Sequence, residues 1–236
     1  MNTQATQTLV LLPGLDGTEI FFGPLLAQLP PWIDPVVVTY PASGPNGYDD
    51  LMPVVLAAVQ ELEEFAILGW SFGGPLALMV AACKPAQVTG VLLCSTFVTA
   101  PHPALAPLRF AFIAPVIGAM RALRRLRFLV PGWATTELRK AKGRTWRRVN
   151  SRVLAKRARA ALGIDARRLL AECRPPLMYL VSTRDEVIAR RNLAEILAHA
   201  PHTQVAEIEG PHLALFTNPV QSAARIAGFL QRLSES

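Results

Sequence analysis

The five residues 69–73, Gly-Trp-Ser-Phe-Gly, constrain the fold of this chain more than any other part of its sequence. An apolar run at 65–68 precedes them, and an apolar stretch of helical character follows at 76–82. They therefore match the pattern Gly-x-Ser-x-Gly between a strand and a helix, where a strained serine projects its Oγ from the sheet. The residues two positions before and after the serine must be very small, because strand and helix pass each other closely at this turn. A plain glycine-rich turn is the alternative, but the flanking patterns favour Ser71 as a nucleophile.

Apolar runs of strand length alternate with helical patterns along most of the chain. The predicted strands lie at 8–12, 36–40, 65–68, 88–94, 176–182 and 204–208. The predicted helices include 49–64, 190–200 and 218–233. Such alternation is typical of an α/β fold with a doubly wound, mainly parallel sheet. The length of 236 residues suits one such domain with a full core better than it suits two.

Residues 101–165 interrupt this alternation as a helical insert. Apolar positions recur there at helical spacing near 153–162, and basic side chains occupy another face. We predict that this insert forms a lid with its apolar side over the catalytic pocket, placed before the strand at 176–182. The remaining residues, 1–100 and 166–236, are predicted to form the α/β core.

The insert is also strongly basic. Between 101 and 170 the chain has 17 Lys or Arg residues and two acidic residues, against a net charge of +7 for the whole chain. Two interpretations stay open: the arginines form a solvated outer face, or they bind an acidic carrier protein or an anionic membrane surface. Arg121, Arg124 and Arg125 are the first candidates for such contacts. A nucleic acid is not expected as a partner, because few aromatic residues lie among the basic ones.

The cysteine pattern and the N-terminus indicate a cytoplasmic protein. Cys83, Cys94 and Cys173 are odd in number and widely spaced, which is typical of thiols in a reducing compartment. The first eight residues include no basic residue, and no apolar run reaches the length of about 18 residues that a membrane span needs. The chain also lacks metal-ligand spacings, a Gly-x-Gly-x-x-Gly pattern and a P-loop, so we expect neither a metal nor an organic cofactor.

Three reactive side chains, Ser71, Asp185 and His212, each come shortly after a predicted strand. Ligands of open α/β sheets collect at the carboxyl ends of the strands, so we expect these side chains to lie together. A nucleophilic serine needs a base, and the base needs a carboxylate that determines its tautomer and stabilises the imidazolium. The sequence therefore predicts a catalytic triad of Ser71, Asp185 and His212.

The other three histidines fit the role of the base less well than His212. His199 lies on a predicted helix, and His202 lies in the loop that enters a strand, at the opposite end of the sheet. His102 opens the insert. Surface or capping roles are expected for these three residues.

The acid also has alternatives. Glu186 is adjacent to Asp185, and Asp165 would serve if the insert folds against the site. Asp185 is preferred because it is nearest to the strand end, and because a short carboxylate suits a fixed geometry. An ordinary surface ion pair with Arg184 or Arg190 is the alternative role for Asp185.

The negative oxygen that develops during acyl transfer needs two preorganised hydrogen-bond donors, which form an oxyanion hole. The backbone N–H of Phe72, the residue after the nucleophile, is predicted to be one of them. The other is expected from the loop after the first strand, with the N–H of Leu15 as the best candidate. Gly14 keeps that loop thin, and both Gly14 and Trp70 are predicted to contact the substrate. An ordinary glycine turn is the alternative for this loop.

Outside the insert, the chain resembles the α/β-hydrolase superfamily, in the esterase group that has a lid before the acid-bearing strand. Residues 68–74 (Leu-Gly-Trp-Ser-Phe-Gly-Gly) and 210–219 (Gly-Pro-His-Leu-Ala-Leu-Phe-Thr-Asn-Pro) are particularly similar to pimeloyl-acyl-carrier-protein methyl ester esterases. The chain order Ser, Asp, His is also the order of this superfamily. Many relatives have His-Gly where this chain has Pro13 and Gly14, so the hydrogen bonding behind the oxyanion loop must differ.

The resemblance implies a serine hydrolase that cleaves carboxylic esters or thioesters through an acyl-enzyme, with an apolar acyl or alcohol part in the substrate. An esterase for methyl esters linked to an acyl carrier protein is a narrower alternative. The chain does not fit the dehalogenases and epoxide hydrolases of this fold, which use an aspartate where Ser71 stands. A non-catalytic protein that docks an acidic partner is the alternative from another class, although it would have no need of a complete triad. Acyl transfer to another acceptor and C–C bond hydrolysis also stay open, since a triad does not determine the acceptor or the scissile bond.

Overall fold

Six apolar segments form one parallel β-sheet in the computed structural model, which describes residues 5–127 and 135–235. The strands are β1 (Gln7–Leu12), β2 (Ile33–Val37), β3 (Phe65–Trp70), β4 (Val88–Cys94), β5 (Leu177–Ser182) and β6 (Gln204–Ile208). They pair in the order β2-β1-β3-β4-β5-β6, and every pair is parallel. The predicted α/β fold with a parallel sheet is therefore confirmed.

Helices connect the strands and cover both faces of the sheet. The α-helices are α1 (Gly23–Leu26), α2 (Tyr48–Ala58), α3 (Gly73–Cys83), α4 (Ala114–Arg127), α5 (Thr136–Arg148), α6 (Ser151–Gly163), α7 (Arg167–Ala171), α8 (Arg191–His199), α9 (Ala214–Thr217) and α10 (Pro219–Ser234). Two 3₁₀ helices, Glu19–Phe22 and Pro103–Ala111, are also present in the described residues.

Alternate side chains of the four inner strands, β1, β3, β4 and β5, enter two apolar cores, one on each face of the sheet. Val10 and Leu12 of β1 pack on the face covered by α2, α3, α7 and α8. Leu9 and Leu11 of the same strand pack on the opposite face, which α1, α9 and α10 cover. Successive side chains of a strand point to opposite faces, so burial on both sides requires a nearly continuous apolar strand.

Two predicted elements end clearly earlier in the structure than expected. β2 ends at Val37 rather than near residue 40, because the chain then turns towards the loop after β1, where the N–H of Tyr40 donates to the Gly17 carbonyl at 2.9 Å. α2 ends at Ala58 rather than near residue 64, since a turn follows it. Neither difference changes the order of the strands.

The residues between β4 and β5 are mostly helical in the described ranges, with α4, α5 and α6 as the main elements. Asn150 begins α6 by accepting a hydrogen bond from the N–H of Val153 at 3.0 Å, as a helix N-cap does. The same side chain donates from Nδ2 to the carbonyl of Ala42 at 3.1 Å, and Nζ of Lys156 donates to the carbonyl of Gly44 at 2.7 Å. These contacts attach the insert to the loop that follows β2.

Part of the apolar surface of the insert is exposed rather than packed on the core. The exposed large apolar side chains of this stretch are Leu105, Leu108, Phe110, Ile113, Val116, Met120 and Leu123. In contrast, Leu138, Ala141 and Ala161 of α5 and α6 are buried in the two cores. The apolar packing of the insert on the core is therefore made largely by α5 and α6. None of the helices in the described ranges is long and apolar enough to cross a membrane.

Candidate active site

Ser71 lies in the turn between β3 and α3 and has a left-handed backbone conformation, with φ of 53°. The glycines on either side are required by close approach of the backbone. A Cβ on Gly69 would overlap the carbonyl of Gly73, and a Cβ on Gly73 would lie 2.6 Å from the carbonyl oxygen of Leu12. The strained conformation is held by a hydrogen bond from the N–H of Ser71 to the carbonyl of Cys94 at 2.9 Å. In the strand-to-helix turn predicted from the sequence, each of the two glycines is thus required for a steric reason.

Ser71, His212 and Asp185 form a continuous hydrogen-bond network at the carboxyl ends of β3, β5 and β6. The Oγ of Ser71 donates to Nε2 of His212 at 3.0 Å. The Nδ1–H of His212 donates to Oδ2 of Asp185 at 2.8 Å. The Asp185 side chain is 7% exposed and the His212 side chain 15% exposed, so both are largely withdrawn from water. The structure therefore brings together the three side chains that the sequence places after separate strands.

Asp185 is held in one orientation by the backbone that follows it. Its Oδ1 accepts hydrogen bonds from the N–H groups of Val187 and Ile188, each at 2.8 Å. Burial alone would raise the pKa of this carboxyl, but the hydrogen bond from His212 and these two N–H donors outweigh it and lower the pKa below its ordinary 3.8. The group is ionised at neutral pH and accepts the Nδ1–H of His212, which leaves Nε2 free to accept a proton.

The backbone of His212 is also held in place, by a hydrogen bond from Trp70. The indole Nε1–H of Trp70 donates to the carbonyl of His212 at 3.2 Å, and the two rings lie 5.6 Å apart between centroids. Trp70 itself is only 3% exposed and packs edge-on against Phe21 and Phe22. This placement favours positioning of the histidine over the predicted contact between Trp70 and substrate.

The loop after β1 lies directly against the turn at Ser71. A Cβ on Gly14 would lie 3.5 Å from the Cβ of Ser71 and 3.3 Å from the Trp70 ring. The N–H groups of Leu15 and Phe72 lie in loops and turns. Among the backbone hydrogen bonds of loops, turns and helix caps within residues 5–127 and 135–235, neither N–H is a donor. Both candidate oxyanion donors are therefore left without a backbone partner beside the serine.

The other candidates for the base and the acid are not part of this network. They are His102 before the 3₁₀ helix Pro103–Ala111, His199 on α8, His202 in the turn before β6, Glu186 and Asp165. Glu186 and Asp165 are exposed, and Asp165 forms an ion pair with Arg167. Within the part of the chain that the structure describes, none of the five hydrogen-bonds to a side chain of the network.

Arg157 lies near the site and was not identified as a functional residue from the sequence. It belongs to α6 and is 0% exposed, and its guanidinium donates to backbone carbonyls of the loop after β1. From sequence it is one basic residue among many in the insert. Its position four residues after Val153 and four before Ala161 places it on the apolar face of the helix, and that is the signal that marks it.

Comparison with protein families gives a match over nearly the whole chain. A family model described as the alpha/beta hydrolase family matches residues 9–225. Two similar curated proteins are named pimeloyl-[acyl-carrier protein] methyl ester esterase. The protein from Xylella fastidiosa (strain M23) is 27% identical over 251 residues, which cover 95% of this chain and 95% of that protein. The protein from Xanthomonas campestris pv. campestris (strain B100) is 28% identical over 234 residues, which cover 92% and 91%.

Solved structures with the same fold include hydrolases of several kinds. The enol-lactonase from Burkholderia xenovorans LB400 matches with a TM-score of 0.80 and 18% identity, over 98% of this chain and 94% of that chain. A carboxylesterase structure from Nitrososphaera gargenis matches with a TM-score of 0.79 and 16% identity, over 98% and 92%. At these identities the likeness concerns the fold.

Proposed function

Because this chain belongs to the alpha/beta hydrolase family, we propose that it is a serine esterase whose catalytic triad is Ser71, His212 and Asp185. The observation that supports this most is the unbroken hydrogen-bond network from Ser71 Oγ through His212 to Asp185, with distances of 3.0 and 2.8 Å. A serine, a base and an orienting carboxylate in this arrangement are the geometric requirement for nucleophilic acyl transfer.

The reaction proceeds in two halves at the same serine. Nε2 of His212 accepts the Ser71 proton while Oγ attacks the ester carbonyl, and the protonated histidine then gives this proton to the departing alcohol. Water, activated by the same histidine, hydrolyses the acyl-enzyme and restores Ser71. The N–H groups of Leu15 and Phe72 stabilise the negative oxygen that forms in each half, and Gly14 leaves room for the substrate beside them. A thioester would follow the same steps with a thiol as the leaving group.

A hydrolysis screen tests this proposal and separates it from a non-catalytic binding role. The substrates are p-nitrophenyl esters of increasing acyl length, beside methyl esters and acyl thioesters. A serine-directed phosphonate probe provides a second readout, since Ser71 Oγ should displace the leaving group of the probe and a peptide containing Ser71 should gain the mass of the phosphonyl group. Absence of both hydrolysis and labelling would contradict the proposed esterase function.

Asp185→Asn should lower kcat for ester hydrolysis by about 10⁴-fold, because an amide in place of the carboxylate favours the wrong tautomer of the histidine. Glu186→Gln is the matched control, since Glu186 is adjacent but exposed and lies outside the network. It should keep activity within about twofold of the wild type, as most surface substitutions do. Steady-state kinetics on one p-nitrophenyl ester measure both variants. A severe loss in Glu186→Gln, with Asp185→Asn active, would assign the acid to the neighbouring residue.

A second candidate function is hydrolysis of an ester that is linked to an acidic carrier protein. The observation that favours it is an open cavity of about 860 Å³ between α5 and the start of α1. Ile20, Pro24 and Phe216 provide apolar surface in this cavity. Its basic lining residues are the exposed Arg139, Lys140, Arg144 and Arg147. An apolar groove with a cationic rim is complementary to an acyl chain delivered by an acidic protein. The two curated relatives are named for a methyl ester on an acyl-carrier protein.

The basic residues of α4 are less suitable for testing this idea. Arg121 donates to the carbonyls of Trp146 and Val149, at 2.6 and 2.8 Å, and its guanidinium lies over the Trp146 ring. It therefore holds α4 against the end of α5, and a substitution of Arg121 would disturb this packing as well as any contact with a partner. The side chains of Arg124 and Arg125 lie outside the described residues. The exposed cations of α5 are the better choice.

We expect kcat/KM for a carrier-linked ester to fall about tenfold or more as salt is raised from 0.1 to 1 M, because the Debye length shortens from about 10 Å to about 3 Å. A small neutral ester should change little over the same range. The double variant Lys140→Gln, Arg144→Gln should reproduce the loss for the carrier substrate at low salt. Arg174→Gln, Arg225→Gln is the control of equal charge, at exposed positions away from the cavity. Equal effects of the two double variants, or equal salt dependence of the two substrates, would contradict docking at α5.

A further inference from the structure

The guanidinium of Arg157 is inserted into the loop after β1, although the residue belongs to helix α6 of the insert. Its Nη1 donates to the carbonyls of Leu15 and Asp16, at 3.0 and 2.7 Å. The side chain is completely buried, which is costly for an arginine unless its donors are satisfied. Arg157 is therefore an integral part of the packed structure and not a surface arginine that lies near the loop by chance.

The other donors of the same guanidinium are also satisfied. Nε and Nη2 donate to Oδ1 of Asn46, at 2.9 and 2.7 Å, and Nη2 also donates to the carbonyl of Pro41 at 2.9 Å. Asn46 is itself completely buried and donates from Nδ2 to the carbonyl of Ser43 at 2.9 Å. The planar fork is thus clamped between two loops, in an arrangement that the single ammonium group of a lysine could not reproduce.

The contact to Asp16 is transmitted along the loop to Leu15. Arg157 fixes the carbonyl of Asp16, and therefore the peptide plane that also contains the N–H of Gly17. That N–H donates to the carbonyl of Gly14 at 3.0 Å, which fixes the peptide plane joining Gly14 to Leu15. In a trans peptide the N–H points away from the carbonyl, so the direction of the Leu15 N–H follows from these two hydrogen bonds.

Gly17 shows that the loop is shaped around the guanidinium. Its φ of 69° is a left-handed conformation, and a Cβ at this position would lie 2.5 Å from Nη1 of Arg157 and 2.8 Å from the Tyr40 ring. Only glycine therefore allows the loop to close on the arginine. The hydroxyl of Tyr40 donates to the carbonyl of Pro13 at 3.1 Å, so the loop is anchored from behind at Pro13 as well as at Leu15 and Asp16.

Arg157 remains charged in this buried place. Burial lowers its pKa to about 10, while the nearby Tyr40 and Asp16 act in the opposite direction. This pKa is still well above neutral pH, so all five guanidinium N–H groups are present as donors.

We propose that Arg157 is a positioning residue, which sets the orientation of the Leu15 N–H in the oxyanion hole and so couples the insert to catalysis. This inference rests on the proposed function, because it gives Leu15 the role of an oxyanion donor. Hydrogen bonding behind the loop, which must differ from that of relatives with His-Gly, is supplied here by Arg157 of the insert together with Tyr40 of the core.

Arg157→Lys tests the proposal, because it keeps the charge and removes the fork. We expect kcat for a p-nitrophenyl ester to fall about 10- to 100-fold with KM within about threefold, less than the about 10²- to 10³-fold cost of losing an oxyanion donor outright. Arg159→Lys is the matched control. Arg159 lies on the same helix and donates to a carbonyl, that of Phe112 at 2.9 Å, but this contact stays within the insert. The control should keep kcat within about twofold.

A boronic acid inhibitor distinguishes positioning from a general loss of structure. Its tetrahedral adduct with Ser71 places an oxygen in the oxyanion hole, so its Ki should rise by about the factor by which kcat/KM falls. Circular dichroism and the melting temperature establish that each variant is folded. If Arg157→Lys does not fold, Asn46→Ala replaces it with the same expectation, since it removes the acceptor that aims the fork.

Two outcomes would overturn the inference. One is a folded variant that loses less than about fivefold in kcat, and the other is a loss of kcat/KM that arises from KM alone. Wild-type and Ser71→Ala activities are measured in the same assay. An inactive wild type, or an active Ser71→Ala variant, would contradict the proposed function. If the wild type is active and Ser71→Ala is inactive, the proposed function stands, and the result for Arg157→Lys decides the inference about Arg157.

Discussion

Ser71→Ala should lower kcat for ester hydrolysis by about 10⁴- to 10⁶-fold, which is the typical cost of losing a triad nucleophile. The variant lacks the oxygen that attacks the carbonyl, and the remaining histidine has only water to activate. The fold should survive, because the alanine side chain is smaller than serine and the backbone at this turn is held by the hydrogen bond from residue 71 to Cys94. The measurements are kcat and KM on a p-nitrophenyl ester, with circular dichroism and thermal melting to establish folding.

Ser95→Ala is a closely matched control for this experiment. Ser95 also follows a strand, also has a left-handed backbone with φ of 44°, and is 2% exposed. Its hydroxyl, however, hydrogen-bonds to the hydroxyl of Ser182 at 2.7 Å rather than to a histidine. The control should keep kcat within about fivefold of the wild type, since it loses one neutral hydrogen bond. Retention of more than about a tenth of the activity by Ser71→Ala would show that Ser71 is not the nucleophile.

His212→Ala should be about as damaging as Ser71→Ala, with a loss of kcat near 10⁶-fold, because an unactivated serine hydroxyl is a poor nucleophile. The double variant Ser71→Ala, His212→Ala should be hardly worse than either single variant. Serine and histidine act as one unit, so removal of the second member costs little once the first is gone. The same p-nitrophenyl ester assay, with enough enzyme to detect very low rates, measures all three variants.

His199→Ala and His202→Ala are the controls for the base. His199 lies on α8, where its Nδ1 is 3.0 Å from the carbonyl of Glu195, and His202 is exposed before β6. Both variants should have activity near that of the wild type. If the losses of the two single variants multiplied in the double variant, Ser71 and His212 would be acting independently, and the proposed mechanism would be wrong.

The periodicity of the sequence was sufficient to predict most of the sheet. β4, β5 and β6 lie within one residue of the predicted bounds, because each is a short and largely apolar run between turn residues. β2 was placed too late, since its polar Asp34 and the Pro35 beside it hide the part of the chain that pairs with β1. The pairing decides where that strand lies, and the pairing is a tertiary contact.

The insert was the hardest region to interpret from sequence. Its helices were expected from their spacing, but its arginines had looked alike as members of a basic segment. In the structure Arg157 is buried and Arg121 supports the packing of helices, while Arg139 and Lys140 are exposed. The net charge of a segment gives the number of its basic residues and not the environment of each one. The different roles of these arginines could therefore not be distinguished from the sequence.

The sequence by itself determined the α/β order of elements, the sharp turn at Ser71, and the positions after strand ends where Asp185 and His212 lie. These features depend on local periodicity and on the rule that parallel strands end at the same edge of a sheet. Only the tertiary structure decided which groups support the site from behind. Trp70 reaches His212 and Arg157 reaches Leu15 across 142 positions of the chain in each case. No local pattern specifies a partner at that separation, because such a contact depends on how the helices pack on the sheet.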